Sequence, residues 1–333
     1  MPAPALARRF GPERVLRGAV LLISVGTLLR DTGHLGMLFV STALAGAGIA
    51  VGNVLLPGLV KRDFARHAAL MTGLYTLAVC GGASSSTAFT VPLERNVFHG
   101  HWPLTLAAWA LPAALVLILW APQALAARPL PAHAQARSGS LWHDRLAWQV
   151  MGFMGLQSAL AYIVLGWLAP LLRERGPDGA EAGYVVAVSI LVQLGSCLVT
   201  PSLATRRRDQ RALAVAMAVI TCVAMLAFIF APLSGRWLWA VLLGLGQGGS
   251  FALALTIIVL RSPDAAATSQ LSAMAQGGGY ILASAAALLA GLLRGWTGSF
   301  ESSAILFVLV SLAMAWCGWG AGRRLLVKPR IAS

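Results

Sequence analysis

Residues 4–16 read PALARRFGPERVL, and residues 201–213 read PSLATRRRDQRAL. The two stretches agree at six of thirteen positions: Pro4 with Pro201, Leu6 with Leu203, Ala7 with Ala204, Arg9 with Arg206, Arg14 with Arg211 and Leu16 with Leu213. An internal repeat supplies a register between two parts of a chain. Its meaning depends on what surrounds each copy.

Composition defines those surroundings. Of 333 residues, 58% are apolar and 11% charged, which leaves too little polar surface for a water-soluble globule of this size. A helix needs about 20 apolar residues to cross a hydrocarbon core of about 30 Å. Ten stretches qualify: 15–29, 35–60, 68–93, 101–121, 146–172, 182–204, 212–232, 237–260, 268–293 and 302–321, the first being the shortest. The fold class expected is therefore an all-α polytopic membrane protein.

The repeat now has two settings. Its second copy falls between the second and third spans that follow residue 146, whereas its first copy precedes every span. Placing the copies in register leaves two helices absent in front of Pro4. A four-plus-six chain is expected, N-terminally truncated relative to a six-plus-six plan of the kind common in transporters. Residues 1–121 form the incomplete N-terminal half, equivalent to helices three to six. The stretch 122–145, PQALAARPLPAHAQARSGSLWHDR, is rich in Ala, Pro and Arg without an apolar period and reads as a cytoplasmic linker. Residues 146–322 form a six-helix half, and 323–333 a basic cytoplasmic tail.

A net charge of +14 in a soluble protein would suggest an acidic partner. Here alternate loops divide it: one set holds 19 of the 25 Lys and Arg residues, the other Arg30, Arg95, Arg173, Arg175, Arg236 and Arg294. Basic loops stay on the cytoplasmic side, which puts both termini there. The outer loops carry six acids as well and sum to zero, so the whole excess faces the cytoplasm, where anionic lipid attracts it. Nucleic acid is not an expected partner; the lipid bilayer and a small-molecule substrate are.

Cys80, Cys197, Cys222 and Cys317 fall inside apolar spans without paired spacing, which argues for packing roles and against a disulfide or zinc framework. His99 and His101 read as a solvated face, and no cofactor or metal is expected. Arg8 and Arg9 precede an apolar run, but no small-residue cleavage site follows as in a signal peptide. Residues 244–249, GLGQGG, match G-x-G-x-x-G, yet a dinucleotide fingerprint needs a preceding strand and this run sits mid-span. Close helix packing is expected there, at Gly48 and Gly52, and at Gly277 to Gly279. Trp102, Trp142, Trp167, Trp237, Trp239 and Trp296 read as interfacial anchors.

No Asp, Glu, Lys, Arg or His lies well inside a span, so the membrane carboxylate or histidine on which proton-coupled carriers often rely is not evident, and a proton is no more than one option for a coupling ion. The polar residues within spans are Asn53, Gln157, Gln193, Gln247 and Gln276, joined by Tyr75, Tyr162 and Tyr280. A primary amide in hydrocarbon costs a few kcal/mol unless bonded, so each should meet a partner or a water-filled cavity. Interhelical bonding, at about 0.6 kcal/mol per bond, is the plainer role. Gln157 and Gln247 lie near mid-span and are the strongest candidates for substrate contact. At span ends, Arg62 with Asp63 and Arg208 with Asp209 invite a cytoplasmic gate, because charges there can bridge two bundles in one state and release in another. A solvated basic loop is the plainer reading of both pairs.

The stretch GNVLLPGLVKRDFARHAALMTGLYTLAVCGG at 52–82, VPLE at 91–94, GHWPLTLAAWALPA at 100–113 and PSLATRRRDQR at 201–211 resemble the cyanate and 2-nitroimidazole transporter family of the major facilitator superfamily. PALARRFGPER resembles a degenerate form of the superfamily's basic loop between helices two and three. The resemblance implies a monomeric secondary carrier of the bacterial inner membrane, whose two bundles rock around a central site for a small solute, a small organic or inorganic anion such as cyanate or a nitroimidazole-like compound. It also implies that spans 35–60, 146–172 and 237–260 line the cavity, which favours Asn53, Gln157, Tyr162 and Gln247. Two departures stand out: no position matches the family's Asn-Leu-Arg segment of helix one, and Ser84 to Thr87 form a hydroxyl run. The alternatives are a non-transporting remnant left by deletion or a misassigned start, and a drug-efflux carrier of the same superfamily. A membrane-embedded enzyme would normally display an ionisable constellation that this sequence lacks.

Overall fold

The computed structural model describes residues 2–126, 140–177, 179–298 and 301–328. Twelve α-helices follow one another among the described residues: α1 (Pro2–Phe10), α2 (Pro12–Leu28), α3 (Leu35–Asp63), α4 (Ala68–Asn96), α5 (Trp102–Ala108), α6 (Ala110–Ala126), α7 (Arg145–Glu174), α8 (Gly179–Arg206), α9 (Arg211–Phe230), α10 (Arg236–Leu260), α11 (Ala265–Thr297) and α12 (Glu301–Ala321). Most of the expected linker, 127–139, and the end of the tail, 329–333, lie outside the described residues.

Among the described residues, nine segments are long and apolar enough to cross a membrane. The tenth expected span is α2, a helix of 17 residues, about 26 Å long at the helical rise of 1.5 Å. The span expected over 101–121 is interrupted at Trp109, where α5 ends and α6 begins. Large apolar side chains such as Leu111, Ile118 and Leu119 on α6 point outward, as lipid contact requires.

The two copies of the repeat occupy the same structural place. Residues 201–206 close α8 and Arg211 opens α9; residues 4–10 close α1 and Pro12 opens α2. The first copy thus begins inside a short helix rather than preceding every one. Its turn pivots on Gly11, whose φ of 85° lies in the left-handed region that favours glycine. Pro12, with its fixed φ and no N–H to satisfy, suits the first helical position.

The C-terminal half starts from well-formed caps. Asp144 accepts hydrogen bonds from the Leu146 and Ala147 amides and so satisfies donors that an α-helix leaves open at its start. Asp264 does the same for Ala267 at the start of α11. Small residues then bring axes together. A Cβ on Gly155 of α7 would lie 2.7 Å from the Cα of Gly279 on α11, so the two backbones touch. On α10, Gly248 faces the backbone of Gln193 on α8, and a Cβ there would sit 2.9 Å from its Cα. Ser196 of α8 donates to the Leu245 carbonyl across the same seam, at 2.9 Å. GLGQGG is therefore a packing seam in the middle of a helix, and Gly279 serves likewise.

In the N-terminal half, Gly48 of α3 packs against α2, with Ile23 N 3.2 Å from where its Cβ would be, while nothing approaches Gly52 within 4 Å. Only one glycine of that GxxxG pair serves close approach. The halves meet through α3 against α11 and α4 against α8. Leu55 and Leu59 of α3 share a small core with Ala3 and Ala7 of α1 and Ala273 of α11.

Candidate functional site

A cavity of about 370 Å³ opens between the halves. Asn53 enters it from α3, Cys80 and Ser84 from α4, Gln157, Ser158 and Tyr162 from α7, Ser189 and Gln193 from α8, Gln247 and Phe251 from α10, and Tyr280 from α11. No charged side chain is among the described residues that line it. Five of the seven expected substrate residues thus share one wall-to-wall space. The three helices expected to supply the lining, α3, α7 and α10, do line the cavity, and α4, α8 and α11 line it beside them.

The other two expected residues, Tyr75 and Gln276, stand behind Asn53. Proline at 57 has no N–H, so the carbonyl of Asn53, four residues earlier, lacks its helical partner. Two side chains of α11 supply the missing donors: Gln276 Nε2 donates to that carbonyl at 2.7 Å and Ser272 Oγ at 3.1 Å. Gln276 also donates to Ser272 Oγ at 2.8 Å, and the Tyr280 hydroxyl donates to Gln276 Oε1 at 3.3 Å. On the opposite side, the Tyr75 hydroxyl of α4 donates to Asn53 Oδ1 at 3.0 Å. Asn53 is therefore held from α4 and α11, and its carbonyl joins the two halves.

The remaining amides differ in what they have left to offer. Gln157 is buried and donates through Nε2 to the Met154 carbonyl at 3.1 Å and to Ser158 Oγ at 2.7 Å, so its amide hydrogens are engaged within α7. Gln247 Nε2 is buried and has no hydrogen-bond partner among the described residues. A buried, unpaired amide costs about 1–3 kcal/mol, a cost that a bound solute or water removes. Gln247 is a lining group whose buried donor is unpaired.

Below the cavity the halves close at the end that carries the basic loops. Lys61 Nζ of α3 donates to the Val259 carbonyl at the end of α10, 3.0 Å away, and the backbone of α3 at Gly58 lies against Ser269 of α11. The residues expected to form a gate do not join the halves here. Arg62 pairs with Asp63 and with Glu13 of α2, both at 2.6 Å and both within the N-terminal half. Asp209 pairs with Arg211, 3.1 Å away, and Arg208 is exposed. Deeper in the same end, the buried Arg261 donates to the carbonyls of Ala321 and Gly322, each at 3.0 Å, and to Gln210 Oε1. Burial lowers the pKa of its guanidinium, an effect that nearby Asp209 opposes. Arg261, at the end of α10, ties the end of α12 to Gln210 at the start of α9.

Sequence reasoning missed Lys61 as a contact between halves, together with Cys80 and Ser189 of the lining. The spacing of Asn53 and Pro57 was the one legible signal for a freed carbonyl.

With the geometry described, comparison with known proteins places it. The Major Facilitator Superfamily model matches residues 1–275. The 2-nitroimidazole transporter of Escherichia coli (strain K12) is 36% identical over 323 residues, covering 96% of this chain and 81% of that protein. The cyanate transport protein CynX of the same strain is 32% identical over 297 residues, covering 89% and 76%. Among solved structures, a point variant of the E. coli fucose:proton symporter FucP superposes with a TM-score of 0.76 at 13% identity, covering 96% of this chain and 86% of that one, a likeness of fold. Two helical halves around a polar cavity, and identity sustained along nearly the whole chain, have one explanation: this protein belongs to the Major Facilitator Superfamily, in the group of cyanate- and 2-nitroimidazole-type transporters.

Proposed function

We propose that this protein is an alternating-access carrier for a small, uncharged polar solute, with a nitroimidazole-like heteroaromatic compound a better match to the cavity than cyanate. The observation that carries this reading is the character of the lining. An anion taken from water into a site without a counter-charge loses its hydration with little return. The described lining offers amides, hydroxyls and the rings of Tyr162, Phe251 and Tyr280, and no cation. A flat, neutral ring with polar edges can stack on those aromatics and accept from Gln247. Lipid contact and a small-molecule substrate follow from the family; the solute's identity and the coupling ion belong to this proposal.

The distribution of Lys and Arg supports an orientation with both termini in the cytoplasm of a bacterial inner membrane. In that orientation the seal at Lys61 and Val259 faces the cytoplasm and the cavity faces outward. Counterflow of labelled 2-nitroimidazole and of labelled cyanate into proteoliposomes tests the reading. Accelerated exchange of the nitroimidazole, reduced at least tenfold in Gln247→Leu with unchanged thermal stability, is the expected result, tenfold corresponding to about 1.4 kcal/mol of lost interaction. Exchange of cyanate alone would overturn it.

A further inference from the structure

Two cysteines that share no sequence spacing meet across the halves. Cys80 of α4 and Cys197 of α8 have their Sγ atoms 3.3 Å apart. Cys80 faces the cavity, whereas Cys197 is fully buried and its thiol points at the Gly248 carbonyl, 3.5 Å away. The close approach has a backbone cause. Gly73 sits one stretch earlier on α4, and a Cβ there would already be 3.2 Å from the Leu198 carbonyl, so the absence of a side chain lets the helices draw together. A disulfide bond is about 2.05 Å long, so the two sulfurs stand little more than about 1 Å beyond bonding distance.

We propose that Cys80 and Cys197 form an oxidisable dithiol, which a peroxide entering the cavity converts into a disulfide that ties the N-terminal half to the C-terminal half. Cys80, the reachable sulfur, gives up its proton and attacks one peroxide oxygen as its thiolate; the O–O bond breaks and the departing hydroxide takes up that proton, leaving a sulfenic acid and one water. Cys197 then attacks the sulfenic sulfur; the S–O bond breaks and the hydroxyl leaves with a proton as a second water. Two thiols lose two electrons, and one hydrogen peroxide is reduced to two waters. A covalent tie between α4 and α8 arrests rocking of the halves, a consequence that rests on the carrier reading above. The bond itself does not.

The chain provides its own assay, because Cys80 is the sole cysteine before residues 127–139 and Cys197 follows them. A site-specific protease sequence placed within 127–139 of the full chain, in native membranes, allows the halves to be cut apart after treatment with hydrogen peroxide and blocking of free thiols. On a non-reducing gel the wild-type halves should stay joined and separate with dithiothreitol. Cys197→Ser should separate with or without reductant, while Cys222→Ser and Cys317→Ser stay joined. Halves that separate in the peroxide-treated wild type, or stay joined in Cys197→Ser, overturn the assignment. In intact vesicles, nitroimidazole exchange should fall on peroxide treatment and return with dithiothreitol, and should survive peroxide in Cys197→Ser. A complete cross-link with undiminished exchange overturns the arrest.

Discussion

The two halves hold themselves together differently. In the C-terminal half the buried share of the spans runs from 22% in α11 and 28% in α8 up to 56% in α7 and 72% in α10; in each of the three long spans of the N-terminal half it is 17%. The C-terminal helices form a continuous core from Leu146 to Val327, anchored by Phe153, Phe228 and Phe307. The small core of the N-terminal half is completed by Ala273, a residue of the other half. One half is a packed frame; the other depends on that frame for part of its packing. Residues at corresponding depths should therefore tolerate change unequally.

Arg261 and Arg62 make the sharpest test, since both sit at the basic end, one tying the ends of α9, α10 and α12 from within and the other paired at the surface. Arg261→Met leaves Gln210 Oε1 and the Ala321 carbonyl without the donor they have here, while the Gly322 carbonyl keeps the Gln210 amide, at about 1–3 kcal/mol for each buried acceptor left unpaired. A large drop in melting temperature in detergent is expected, with loss of the monodisperse peak on size exclusion. A wild-type melt would contradict the view of the C-terminal half as a frame.

Next in size is Gly155→Leu, which forces α7 away from α11 where the backbones touch. Overpacking of this kind costs about 1–3 kcal/mol, again read by thermal melting. Smaller, and informative by contrast, are two alanines on α3. Gly48→Ala meets the backbone of α2 and should destabilise by about 1 kcal/mol, whereas Gly52→Ala enters open space and should gain up to about 1 kcal/mol from helix propensity. Equal effects at the two sites would contradict the packing seen here. Smallest is Arg62→Gln, where pairs with Glu13 and Asp63 are partly exposed and worth about 0–1 kcal/mol. Its melt should stay within about 1 kcal/mol of wild type.

Much of this architecture was legible residue by residue. Apolar run length gave the spans, and the shared PALARRF and PSLATRR patterns gave equivalent helix ends in the two halves, now seen at α1 and α8. The amides at Asn53, Gln157, Gln193 and Gln247 were legible as cavity candidates because polarity inside hydrocarbon is costly and therefore conspicuous. The interruption at Trp109 had a signal in Pro112, which has no N–H for the Ala108 carbonyl and whose ring crowds it, but apolar run length alone passes over it. The division of labour among the amides was not legible: Gln157 is engaged within its own helix and Gln247 has a free donor, and both are glutamines near mid-span.

The sequence by itself determined what is local and additive: a membrane protein, the apolar runs that become its long helices and its polar exceptions, because insertion depends on the summed transfer of each segment from water to lipid. Only the tertiary structure decided which faces meet. Spans that are apolar all round carry no stripe to mark an inward side, so the rotation of each helix is set by packing with helices distant in the chain. That is why Cys80 found Cys197, why the carbonyl freed by Pro57 found Gln276, and why α4 and α8 came to line the cavity.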